Sequence, residues 1–74
     1  MTRDELRTSI LAKGLTNRWR GLNAVTWDST FLDNDRNRAS VREVLDELVA
    51  EGTVEHGAGY AHGAWRLARK AAAK

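Results

Sequence analysis

The sequence predicts an α+β domain of three helices followed by a C-terminal β-hairpin. Three observations carry this. Val41, Val44, Leu45, Leu48 and Val49 fall at i, i+3, i+4, i+7 and i+8, one apolar helical stripe that stops at Gly52. Two short stretches rich in strand formers, "TVEH" and "AWRLA", come next and are joined by the glycine-rich "GAGYAHG". The chain also opens on "TRDE", a helix-capping signature ahead of an apolar face.

The 74 residues fit one small domain, expected over 1–68, with a basic tail at 69–74. A chain this short buries only about 60% of its unfolded surface, so its core must be efficient. It has no cysteine, so neither disulfide nor thiolate zinc can supplement that core. No apolar run is long enough to span a membrane, and the charged first residues lead into no signal-like segment. These features together point to the cytoplasm. The net charge of +2 is too mild to announce a nucleic-acid partner, but nine of the twelve cations are arginine, the better residue for bidentate contacts. The charge comes in blocks: +3 over 1–20, −3 over 21–35, +3 over 36–42, −5 over 43–55 and +4 over 56–74. Such blocks predict separate positive and negative faces.

Taken in order, Thr2 and Glu5 cap a first helix whose apolar face is Leu6, Ile10 and Leu11, and Gly14 ends it. Residues 16–25 read as an irregular connection in which Trp19 folds back on the core while Arg18 and Arg20 point outward. Residues 26–33 read as a short helix capped by Thr26, although "AVTWDSTF" also alternates like a strand. "DNDRN" is a polar turn, and Asn37 or Asp35 caps the long helix over 38–51. Val54, Trp65 and Leu67 are the inward residues of the hairpin, and Trp19, Trp27 and Trp65 are expected as core or core-edge anchors.

From "SVREVLDELVAEGTVEHG" through "AWRLA" the chain resembles a winged helix-turn-helix domain. The resemblance lies in Ser40 and Val41 at the helix start, Leu45 on the core face, and Leu48, Gly52 and Val54 leading into a hairpin wing. It covers the second half of the chain closely and the first half by element order. The turn before the third helix departs from the family, because "DNDRN" lacks the usual glycine.

The resemblance implies duplex DNA as partner, with the start of the third helix in the major groove. Arg36, Asn37, Arg38, Ser40 and Arg42 then become the candidate contacts, with Arg38 or Arg42 on guanine and Asn37 on adenine. Asn37 also serves as a plain cap, and Arg42 also reads as a surface partner of Asp46. Arg18, Arg20 and Arg66 are candidate phosphate contacts, and Tyr60 and His62 mark the wing tip. The two wing histidines, His56 and His62, lack an obvious third metal ligand, so no metal is expected. No nucleophile, base and orienting acid stand in a recognisable motif, and "GAGYAHG" opens no helix that would make it a phosphate cradle, so neither an enzyme nor a cofactor is expected. The implied role is a small bacterial or phage transcriptional regulator that pairs as a homodimer on two half-sites. The competing role is a protein-interaction module presenting the acidic stretch 43–55. A continuous positive strip from Arg36 to the wing favours the first, and a negative helix face favours the second.

Overall fold

In the computed structural model, which describes residues 2–58, 60 and 62–68, the first helix α1 spans Arg3–Ser9 and is closed by the predicted capping box. The Thr2 hydroxyl accepts from the Glu5 amide at 3.2 Å, and Glu5 accepts from the Thr2 amide at 3.0 Å. That bond to the Thr2 backbone holds the Glu5 carboxyl below its ordinary range. The helix then widens into a π-helical turn at Ile10–Gly14, where the Leu15 amide reaches the Ile10 carbonyl at 2.9 Å. Gly14 is needed there for close approach, since an added Cβ would collide with Ser29 Oγ of the neighbouring helix.

A two-residue strand β1, Arg20–Gly21, leads directly into α2, Leu22–Thr30. Residues 16–25 are therefore not wholly irregular, and the second helix begins four residues before the expected cap. Thr26 is no cap. It lies fully buried inside α2 and returns its hydroxyl to the Leu22 carbonyl at 2.8 Å. Strand-forming residues adopt a helix here because Leu22, Val25, Thr26 and Ser29 share one buried face. The ambiguity over 26–33 thus resolves to helix as far as Thr30.

Phe31 closes α2 in the left-handed conformation, at φ 61°. Asn34, rather than Asn37 or Asp35, then caps α3, Asp35–Ala50, accepting from the Asn37 amide at 2.7 Å. Val41, Val44, Leu45 and Leu48 are buried as the periodicity predicts, with Val49 half-buried beside them. Gly52 supplies the left-handed exit, φ 81°, and the Thr53 amide ties back to the Leu48 carbonyl.

Strands β2, Val54–Gly57, and β3, Ala64–Leu67, form the predicted hairpin, with His56 opposite Trp65. Strand β1 adds to the free side of β3, giving an antiparallel sheet in the order β1-β3-β2. The core joins Leu6, Ile10 and Leu15 to the stripe of α3, to Leu22 and Val25 of α2, and to Val54 and Trp65 of the sheet. This arrangement of three helices and a small sheet is compatible with a winged-helix fold. The expected basic tail, 69–74, lies outside the described residues, as do two positions of the hairpin connection, Gly59 and Ala61.

The three tryptophans separate. Trp65 is fully buried, but Trp19 is 38% and Trp27 53% exposed. Trp19 does not enter the core. Its ring lies on the outer side of the sheet under the Arg66 guanidinium, 4.3 Å from the centroid, with its edge against Gly57. Trp27 stands on the side of α2 opposite the buried face.

Candidate nucleic-acid interface

The buried stripe of α3 fixes which side of that helix meets solvent. Arg36, Ala39 and Arg42, three residues apart, form an exposed row away from the core, and Ser40 is exposed beside it. Among the described residues neither Arg36 nor Arg42 is engaged in an ion pair, so the expected Arg42–Asp46 pair does not form. Ala39 escaped the sequence reading. Its signal was available: a small residue spaced three from an arginine on either side.

Arg42 faces the hairpin across an open cleft of about 520 Å³ that it lines with His56, Tyr60 and His62. His56 is held there by stacking on Trp65, with centroids 5.0 Å apart and planes at 24°. Tyr60 is fixed toward β1, its hydroxyl 3.4 Å from the Trp19 carbonyl, which it can donate to. On its other flank the start of α3 borders a groove in which Arg36 and Ser40 meet Leu6, Leu32 and Asn34. The start of α3 is thus open on both sides, toward α1 and toward the wing.

The remaining candidates are not gathered into this surface. Arg38 turns back on its own turn, donating to Asp35 Oδ1 at 2.6 Å and lying 3.4 Å from both Asp33 Oδ1 and Asn23 Oδ1. Asn37 spends its side-chain amide on the Leu32 carbonyl, 2.8 Å, and the Thr30 hydroxyl, 3.3 Å. Arg20 does not point freely outward. It pairs with Asp28 at 2.5 Å and donates to the Gly14 carbonyl at 2.9 Å. Arg66 pairs with Glu55 at 2.7 Å under the stacking contact with Trp19. Arg18 is exposed on the loop before β1, its amide bonded to the Thr16 hydroxyl.

The acidic block 43–55 is also redistributed. Arg3 of α1 reaches Glu43 at 3.3 Å and Glu47 at 2.6 Å, and Arg7 reaches Glu51 at 2.5 Å. The first and fourth charge blocks therefore meet along the α1–α3 seam instead of forming opposed faces. Spacing explains it: Glu43, Glu47 and Glu51 recur every four residues on one side of α3, and Arg3 and Arg7 do the same on α1. The bond from Arg7 holds the Glu51 carboxyl below its ordinary range, and the same contact raises Arg7. Among the described residues no group of three metal-ligating side chains occurs, and no helix is long and apolar enough to cross a membrane. No family model, curated protein or solved structure matches the chain.

Proposed function

We propose that the protein binds double-stranded DNA sequence-specifically by entering the major groove with the start of α3. In this reading it is a small cytoplasmic transcriptional regulator of bacterial or phage type. One observation carries it. Most arginines of the described chain are bound to carboxylates, while Arg36 and Arg42 flank exposed Ala39 with no such partner. Arginines left unpaired on a helix with a small residue between them suit guanine or phosphate. Asp46 lies farther along the exposed side of α3, so the helix enters by its first two turns and tilts its later half away from the phosphates. The wing cleft extends the contact through Arg42 to His62 and Tyr60.

The protein-interaction alternative rested on the acidic stretch. It is supported less well, because Glu43, Glu47, Glu51 and Glu55 all sit against arginines.

Fluorescence anisotropy of labelled mixed-sequence duplexes tests the proposal. The wild-type chain is expected to bind at low salt, and an Arg36→Ala, Arg42→Ala double variant to bind at least tenfold more weakly, since one such contact is worth about 1–3 kcal/mol. Equal binding by the two proteins would remove α3 from the interface. A selected preferred site then tests sequence specificity.

A further inference from the structure

Two imidazoles meet one unpaired arginine in the cleft between α3 and the hairpin. His56 is exposed on β2 and held by its stack on Trp65 of β3. Gly63 keeps the space beside that ring clear, because an added Cβ would stand 2.8 Å from His56 Nε2. His62 is exposed in the turn before β3. Arg42 lines the cleft from the helix side, and Tyr60, its hydroxyl turned to the Trp19 carbonyl, lines it from the connection. The rest of the lining is glycine and alanine, so no carboxylate of the described residues borders the cleft. Glu55 is next to His56 in sequence, but it lies on the other face of the sheet and pairs there with Arg66. Tyr60 and His62 also line a hollow with Gly21 and the first turn of α2, all neutral residues, where Gly21 caps without a side-chain bond. What faces His62 from α2 is therefore the partial positive charge of a helix start. Among the described residues neither imidazole forms a hydrogen bond or an ion pair.

We propose that this cleft is a proton-linked phosphate site, in which His56 and His62 take up protons as a DNA backbone phosphate settles beside Arg42, so that binding tightens as the pH falls. This rests on the reading of α3 as the helix that enters DNA, and it adds how that contact is regulated. The sign follows from the surroundings. Histidine is the side chain that ordinarily changes charge between about pH 5 and 8. In the free protein an imidazolium in the cleft faces Arg42, the other histidine, a neutral phenol and the amide end of α2, with no carboxylate in the lining to offset them. A phosphate supplies the missing anion. It favours the cationic ring over the neutral one, so the bound protein holds more protons than the free protein and affinity rises toward acid.

Anisotropy titrations of one labelled duplex with the full chain, at about pH 5.5 and about pH 7.5 and equal ionic strength, test this. Binding is expected to be about fivefold tighter, or more, at the lower pH. Glutamine cannot titrate, so a His56→Gln, His62→Gln double variant is expected to bring that ratio below about twofold. His62 stands exposed in a turn, so His62→Gln alone is expected to lower the ratio even where His56→Gln disturbs the stack on Trp65. Arg36 lies outside the cleft, and Arg36→Ala is expected to weaken binding at both pH values while keeping the ratio. A wild-type ratio near one, or a ratio that the double variant retains, overturns the inference and leaves the DNA reading standing. Displacement of the duplex by inorganic phosphate at matched ionic strength also overturns it, by assigning the cleft to a free phosphate. Absence of binding at both pH values overturns this inference and the DNA reading together.

Discussion

Ser29 is the clearest case of a residue whose polarity the fold does not use. Its hydroxyl is fully buried with no hydrogen-bond partner among the described residues, pressed against the close approach of Gly14. A buried hydroxyl without a partner loses its hydration and regains nothing. Ser29→Ala is therefore expected to stabilise the domain by about 1 kcal/mol, read as a rise of roughly 4–8 °C in a thermal circular dichroism melt. Arg38 and Arg42 make the complementary contrast. They lie four residues apart in one helix and looked equivalent, yet Arg38 is tied to Asp33, Asp35 and Asn23 while Arg42 faces the wing. Arg38→Ala is expected to lower the melting temperature slightly, on the scale of a partly exposed ion pair, about 0–1 kcal/mol. It is expected to leave DNA affinity within about twofold, a difference below 1 kcal/mol. A tenfold loss in the same anisotropy titration would mean that Arg38 leaves its carboxylates to reach DNA.

Among the elements, α3 was the most legible, because five apolar residues at helical spacing have one way to be buried together. The hairpin was nearly as clear from its alternation and glycines. Helix α2 was harder. Its first residues, "LNAV", follow Gly21, which caps without a side-chain bond, so no capping signature marked the true start. Its threonines and tryptophan suit strands, and only the packing of Val25, Thr26 and Ser29 against the π-helical turn decides otherwise. The α1–α3 seam was invisible for a different reason: each charge block was correct, but their meeting depends on helix orientation, which no local pattern records. That seam has a pH signature. Glu51 titrates below its unfolded value because Arg7 binds the ionised form, so the pair stabilises the folded state at neutral pH. The contribution disappears as acid protonates Glu51, below the ordinary carboxylate range. Glu51→Gln is expected to melt lower than wild type at pH 7, with the two curves converging at low pH. A gap that stays constant with pH would assign the loss to packing instead of to the pair.

At the scale of the whole molecule, the modest net charge of +2 hides an uneven distribution. Arg3, Arg7, Arg20, Arg38 and Arg66 are all occupied within the chain, which neutralises most of the acidic residues internally. What remains outside any ion pair on α3 is Arg36 and Arg42, alongside Lys13 and Arg18 elsewhere among the described residues. DNA binding through the two α3 arginines has a countable consequence. Each phosphate neutralised by a protein cation releases condensed counterions, so the logarithm of the binding constant falls with the logarithm of salt concentration at a slope of about −0.9 per contact. The basic residues of 69–74 contribute to the total slope of any such titration, which makes the total a poor measure of α3 itself. The difference between wild type and the Arg36→Ala, Arg42→Ala variant isolates it, because both proteins share the same tail. If both arginines contact phosphate, the slope is expected to become shallower by about 1.8 units. If one reads a base edge, the slope changes by about half that while the loss of affinity becomes dependent on the duplex sequence. An unchanged slope together with unchanged affinity would mean that the open end of α3 does not face DNA.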